Sequence, residues 1–434
     1  MAQTAHVMIV PYPSQGHVRP LLKLAFQIVD HGIKVTFVNT KSVQERLVTS
    51  SMIKEKIEGE NRGIIFATVP DLWKPEGAPG ERVSSMMKVM PGYLEDLIKK
   101  ERFGCVIADG SLGWILEVAE RNGIKHVGFF PLAVGSVALT THIPELFKTE
   151  IVGTNGNMVE TGEVIKLSLD IPPWKMTEVT WTFPGDTSSQ GTQKMIFDIC
   201  LSLQKTVDHE KWIICNTCYE IETPACNLIP KMLPIGPLIT RDCYEESAGA
   251  GSFWPEDTSS LRWLDKKLPG SVVYIAFGSI AVVSQDQFNE LALGLELSQR
   301  PFLWVVRPNR ASGKIAKYPE GFLERVADLG KIIEWAPQEK VLAHPSVVCF
   351  ISHCGWNSTM EGLTMGVPFL CWPSFGDQYH NQSYISDIWK IGLKLNPDQN
   401  VKLKKIVQES VMKGGSSYTN FETFINYLKQ SCMS

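Results

Sequence analysis

The stretch WAPQEKVLAHPSVVCFISHCGWNSTMEGLTMGVPFLCWPSFGDQ, Trp335 to Gln378, decides how the rest of the chain is read. Two short apolar runs inside it, Val347–Ser352 and Val367–Trp372, read as strands. Polar residues gather where those runs end, as a ligand requires in an open α/β sheet. Trp335 offers an indole face to a flat base, a stacking contact of roughly 1–3 kcal/mol. Gln338 carries a donor and an acceptor that match the mixed edge of uracil. Glu361 can accept from two ribose hydroxyls. His353 ends a strand, Gly355 lets the backbone turn, and Asn357-Ser358 open a helix whose N–H groups suit a diphosphate. Asp377 and Gln378 open the next helix with a carboxylate and an amide for sugar hydroxyls. Singly, each has a plainer reading: Trp335 as core, Glu361 as a solvated helix residue, Asp377 as an N-cap. Jointly they describe a nucleotide-sugar cradle.

Upstream, Ser271–Phe277 reads as a strand running into Gly278-Ser279, which can offer a backbone N–H and a hydroxyl to phosphate. Asp286–Ser298 is helical, and Phe302–Val306 and Lys331–Trp335 are strands. Residues 240–260 turn small and polar and mark a domain boundary. The expected organisation is an N-terminal domain over 1–238, a linker over 239–260, a second domain over 261–412 and a C-terminal helix within 413–434 that packs back on the first domain.

The N-terminal part repeats the pattern. Val7–Val10 is an apolar run; PYPSQGH follows; Leu21, Leu22, Leu24, Ala25, Ile28 and Val29 then fall at helical spacing before the strand Lys34–Val38. Pro20 suits the first turn of that helix and Gly32 the position past its end. His17 thus stands at a loop-to-helix junction, where the helix dipole favours the neutral imidazole that a general base needs. Cys105–Asp109 is a further strand ending in a carboxylate. Strands of a parallel sheet end on one edge, so Asp109 can meet His17 and fix its tautomer. The plainer readings are a helix-capping His17 and an N-cap Asp109. Met86, Met87, Met90, Trp174, Trp181, Phe183, Met195 and Phe197 are each core candidates that can alternatively line an adaptable apolar pocket. Lys54–Arg62 reads as a solvated charged face.

Composition narrows the function. With 42 basic and 46 acidic residues the net charge is −4, the wrong sign for a phosphate-backbone partner. No apolar run reaches the roughly 20 residues a membrane span needs. The start, MAQTAHVMIVPYP, lacks a basic n-region and reads as a buried strand rather than a signal peptide, so a cytoplasmic location is expected. Ten cysteines scattered through the chain read as reduced thiols. Cys215-x-x-Cys218 lacks the two further ligands of a zinc site.

The box resembles that of the plant family-one UDP-glycosyltransferases, enzymes that glucosylate small secondary metabolites. W-A-P-Q at 335–338, H-C-G-W-N-S at 353–358, Glu361, G-V-P at 366–368 and Asp377-Gln378 carry the likeness, with PYPSQGHVRP at 11–20, IADG at 107–110, LPIGPL at 233–238, FWPED at 253–257 and YIAFGS at 274–279. The resemblance implies an α/β GT-B fold, two Rossmann-like domains facing across a cleft. It implies His17 as catalytic base with Asp109 as partner, and a UDP-sugar set of Ser279, Trp335, Ala336, Gln338, His353, Trp356, Asn357, Ser358, Glu361, Asp377 and Gln378. Trp335 and Gln338 would hold uracil, Glu361 the ribose, and Ser279, His353, Asn357 and Ser358 the diphosphate; Trp356, Asp377 and Gln378 would face the sugar. Gln378 at the last box position goes with glucose, so UDP-glucose is the implied donor, with no metal, no other cofactor and a monomer expected. After Asp398 the chain lacks one or two helices that relatives carry before Gly-Gly-Ser-Ser. Two alternatives therefore stand beside an inverting glucosyltransferase: a UDP-sugar-binding protein of weak or no activity, and transfer of a different sugar.

Overall fold

In the computed structural model of the chain, residues 5–49, 63–71, 79–159, 164–183, 190–239, 257–279, 283–307, 317–393 and 413–431 are described. The charged stretch 54–62, most of the linker and the shortened region 398–412 lie outside them. The chain divides into two compact units, built principally on Met1–Ile239 with Ile406–Ser434 and on Trp254–Lys405.

The first unit contains strands β1 (His6–Val10), β2 (Lys34–Thr40), β3 (Ile64–Val69), β4 (Cys105–Asp109), β5 (Lys125–Phe130), β6 (Val164–Ile165), β7 (Trp174–Lys175), β8 (Ile213–Cys215) and β9 (Met232–Pro234). Seven of them form a sheet in the order β3-β2-β1-β4-β5-β8-β9, while β6 and β7 pair as a small separate ribbon. Every neighbour in the large sheet is parallel. A parallel sheet is covered on both faces, so its central strands are apolar throughout; every residue of β1 and β4 is buried.

The second unit repeats the plan with β10 (Val272–Ala276), β11 (Phe302–Val305), β12 (Gly330–Ile333), β13 (Val347–Ser352) and β14 (Phe369–Cys371). Their order is β12-β11-β10-β13-β14, again all parallel. Two strands fall two residues short of the sequence pattern at one end. The carbonyl of Trp335 accepts from Asp257 N–H (3.0 Å), which takes it off the ladder, and β12 stops at Ile333. Val367 N–H closes the preceding helix on Gly362 (2.9 Å), and Pro368 has no N–H to give, so β14 starts at Phe369.

Most of the aromatic-rich segment of the first unit is core, with Phe183 and Met195 half-buried. Trp174, Trp181 and Phe197 are buried, with Met86 and Met90, whereas Met87 is exposed. Trp181 Nε1 donates to Gly156 carbonyl (3.1 Å), and a Cβ at Gly156 would sit 2.7 Å from the Phe197 ring. Beside this core stand two short helices, Val134–Thr141 and Ile143–Lys148. The helix Ser416–Ser431 belongs to this unit: Asn420 Nδ2 donates to Pro234 carbonyl (2.7 Å), Glu422 meets His31 (3.2 Å), and Phe421 sets its ring edge-on to His31. No helix among the described residues is long and apolar enough to cross a membrane. No disulfide joins the eight cysteines among them, which are buried or half-buried, Cys215 and Cys218 fully so.

Glu222 is fully buried and accepts a hydrogen bond from Gly135 N–H (3.1 Å) at the start of Val134–Thr141. Burial pushes its carboxyl up to about 7, against the backbone N–H groups that hold the charged form. The folded state thus keeps a proton that the unfolded chain releases near 4.5, and stability falls as pH rises through that window. Glu222→Gln keeps an acceptor for Gly135 and removes the charge. It is expected to raise the melting temperature at pH 8 and to leave it unchanged at pH 5, by calorimetry.

Candidate active-site residues in the two units

Strand order in the first sheet reverses between β1 and β4, and both expected catalytic residues stand there. β1 leads through Tyr12 and Ser14 into the helix Gln15–Asp30, with His17 in its first turn. Ser14 is extended, and its carbonyl accepts from the N–H groups of His17 (3.1 Å) and Val18 (2.9 Å). Asp109 is the last residue of β4. His17 Nδ1 lies 2.6 Å from Asp109 Oδ2, while Asp109 Oδ1 accepts from Ser111 N–H (3.0 Å). Capping and partnering a histidine, alternatives in the sequence, are done by separate oxygens of one carboxylate. Asp109 is wholly buried; His17 is 29% exposed, so its ring is reachable. A carboxylate facing Nδ1 places the proton there and leaves the Nε2 lone pair for other work. In proton NMR the His17 Nδ1 proton is expected well downfield of the amides and lost in Asp109→Ala; its persistence there would show a different partner.

In the second sheet the order reverses between β10 and β13, and His353 follows directly on β13. Its imidazole is wedged between two glycines: a Cβ at Gly278 or at Gly355 would sit 2.4 Å from His353 Nε2. Cys354 takes φ +63°, a strained conformation for a residue with a Cβ. The turn is held by Ser352 Oγ, which accepts from Cys354 N–H (3.1 Å), and by Asn381 Nδ2, which donates to Cys354 carbonyl (2.9 Å). Burial, then the positive charge of Arg307, pushes His353 down to about 4. It is a neutral imidazole at physiological pH, with Nδ1 enclosed and unmatched by a protein partner. The helix Trp356–Met365 begins just beyond, and its N-cap, Gly355, has no side chain to satisfy the first N–H groups. A donor ring beside a helix N-terminus is suited to an anion. Gly355→Ala is expected to displace the imidazole and cost about 1–3 kcal/mol, as overpacking does, by chemical denaturation. Gly294, with open space around it, is the control: Gly294→Ala should gain about 0.5–1 kcal/mol as a helix substitution.

Gln338 ties the cradle together. Its Oε1 accepts from Tyr274 hydroxyl (3.1 Å), and its Nε2 donates to Ser358 Oγ (2.9 Å) and to Glu361 Oε2 (2.7 Å). Glu361 and Ser358 are buried, so this amide fixes two of the expected donor contacts. Ala336 is buried and Trp335 half-buried. Arg307 lies with its guanidinium carbon 5.5 Å from the Trp335 ring centroid and donates from Nη1 to Ser279 carbonyl (3.0 Å). Gln378 Oε1 accepts from Ser374 N–H (2.8 Å) and Phe375 N–H (3.3 Å), which orients its amide nitrogen the other way. Asp377 Oδ2 accepts from Asn381 Nδ2 (2.9 Å). Trp356 is buried with its ring 6.4 Å from that of Trp389, so this position presents backbone more than indole. Asn357 is half-buried at the helix start. Sequence reasoning missed Tyr274, Arg307, Ser352 and Asn381. Only Asn381 left a signal, its i+4 spacing from Asp377 on one helix.

The model of the UDP-glucoronosyl and UDP-glucosyl transferase family matches residues 259–409. The chain is 36% identical to UDP-glycosyltransferase 83A1 of Arabidopsis thaliana, over 98% of this chain and 97% of that protein. It is 32% identical to linamarin synthase 1 of Manihot esculenta, over 97% and 96%. The first of these alignments runs to 463 positions, more than the 434 residues present, so that relative has residues with no counterpart here. In fold it matches TcCGT1, solved in complex with UDP, with a TM-score of 0.80 at 22% identity over 99% of this chain and 100% of that one. It also matches Phytolacca americana UGT2, complexed with UDP-2fluoro-glucose and pterostilbene, with a TM-score of 0.78 at 23% identity over 98% and 100%. The chain belongs to the plant family-one UDP-glycosyltransferases and has their GT-B fold.

Proposed function

We propose that this enzyme transfers glucose from UDP-glucose to a hydroxyl of a small lipophilic acceptor with inversion, giving a β-glucoside. The observation that carries this reading is the 2.6 Å contact between His17 Nδ1 and Asp109. A protein that only binds a nucleotide sugar has no use for an imidazole held in the base tautomer. His17 Nε2 takes the proton of the acceptor hydroxyl, and Asp109 stabilises the imidazolium that forms. The acceptor oxygen attacks the anomeric carbon from the face opposite UDP. The bond from that carbon to the β-phosphate oxygen breaks, its electron pair leaves with UDP, and an α-linked donor gives a β-product.

On the donor side, uracil stacks on Trp335 beside Ala336, and Glu361 accepts from the ribose hydroxyls. Gln338 serves by fixing Glu361 and Ser358. His353 as a neutral donor, Ser279, Asn357, Ser358 and the N–H groups of Trp356–Met365 receive the negative charge that grows on departing UDP. Preorganised donors of this kind stand in the role that a metal fills elsewhere, so activity is expected to survive chelation. Gln378 offers an amide N–H and Asp377 a carboxylate to sugar hydroxyls, with the backbone of Trp356 beside them. A cytoplasmic location is part of the same proposal.

The test is release of UDP from UDP-glucose with a panel of phenols and other lipophilic alcohols, with the anomeric configuration of the product read by NMR. An α-glucoside would sink the inverting mechanism, and faster turnover of UDP-galactose in direct competition would overturn the donor. His17→Ala is expected to lower turnover by about 10²–10⁴ while UDP affinity by calorimetry stays within about twofold, a change too small to count beside the roughly 1.4 kcal/mol of a tenfold step.

A further inference from the structure

Arg307 is the cation most closely tied to the donor cradle among the described residues. It follows β11, whose neighbours in the sheet are β10 and β12. Val306 N–H still pairs with Ile333 carbonyl (2.8 Å), so the ladder delivers Arg307 to the carboxyl edge of the sheet between the ends of those two strands. On the β12 side its guanidinium lies over Trp335; on the β10 side its Nη1 bonds Ser279 carbonyl. One planar group thus touches the indole assigned to the base and the backbone of a residue assigned to the diphosphate. Gly278, next to Ser279, takes φ +68°, so this turn reaches its place through a left-handed glycine that adds no side chain to brace it.

We propose that Arg307 is a positioning residue of the donor site, setting the Trp335 indole and the Ser279 turn at one fixed separation so that base and diphosphate bind in register. This rests on the reading of the second unit as the UDP-sugar cradle. A guanidinium suits the role because its rigid fork bonds a carbonyl while its flat face lies on an aromatic ring. An ammonium supplies the charge without the plane. The contact with Trp335 orients the surface on which the base stacks, so losing Arg307 weakens uridine as well as UDP. A residue acting by charge alone on the phosphates would leave uridine untouched.

Calorimetry of UDP and uridine with wild type, Arg307→Lys and Arg307→Met, together with steady-state kinetics, tests this. Arg307→Met is expected to weaken UDP by roughly tenfold and uridine by several-fold, the loss of one cation–π contact and one charged hydrogen bond. The KM for UDP-glucose rises with it, while the acceptor KM stays within about twofold, below any effect that a tenfold change of 1.4 kcal/mol would give. Arg307→Lys restores part of the UDP affinity and little of the uridine affinity. Unchanged binding of both ligands in Arg307→Met overturns the proposal, as does loss confined to UDP. Should Arg307→Met fail to fold, Arg307→Lys decides: uridine affinity equal to wild type overturns the proposal. Wild type that binds no UDP would instead sink the donor-site reading itself.

Discussion

A parallel sheet ends all its strands on one edge, and a doubly wound one reverses strand order at a single place on that edge. Both units obey this constraint, and the candidate chemistry depends on it. In the first sheet the reversal brings the end of β1, with His17 after it, beside Asp109 at the end of β4, although 92 positions separate them in the chain. In the second it brings Gly278, after β10, against His353, after β13. Connections leaving those strands to opposite sides open a crevice that no side chain needs to create. The apolar strands, which carry no chemistry themselves, are therefore what locate it.

The second constraint is space. His353 has room only because two of its neighbours lack a Cβ. The turn that carries it includes Cys354 in a left-handed conformation, and such a turn persists only where its surroundings over-determine it. Ser352 and Asn381 do that from two sides. Asn381 also holds Asp377, so one buried amide couples the turn beside the phosphate residues to a residue assigned to the sugar. Gln338 links Tyr274, Ser358 and Glu361 in the same way. A polar network rigidifies a site as far as its members are partnered: the Gln338 amide is satisfied at both ends, whereas Asn381 uses its Nδ2 and leaves Oδ1 buried without a hydrogen-bond partner.

What the sequence makes legible follows from these constraints. Strands β1, β4, β10, β11 and β13 show as short apolar runs and β2 as an alternating, β-branched one, and chemistry placed at strand ends, His17, Asp109 and His353, shows with them. The start of the helix Gln285–Ser298 is encoded by Ser284 and Gln287, which cap it reciprocally. Other features leave no local trace. Tyr274 and Gln338 are 64 positions apart, and a contact set by sheet order has no periodicity to find. Arg307 reads as an ordinary surface cation until β10 and β12 are placed on either side of it. The aromatics Trp174, Trp181 and Phe197 read first as core, with a pocket lining as the alternative, and their burial around Gly156 places them in the core.

Two histidines at two switch points have opposite surroundings, and that difference separates the roles proposed for them. His17 has a buried carboxylate on Nδ1, so a proton arriving at Nε2 produces an imidazolium already matched by a negative charge. His353 has no carboxylate partner among the described residues; burial and the Arg307 cation both disfavour its charged form. A group that must accept a proton during reaction needs the first environment. A group that must donate a hydrogen bond to a developing anion, and keep its own proton count constant, is served by the second. Exchanging the environments would leave both rings in place and neither suited to its role. A carboxylate beside the diphosphate would repel it, and a cation beside the base would oppose the proton it must take.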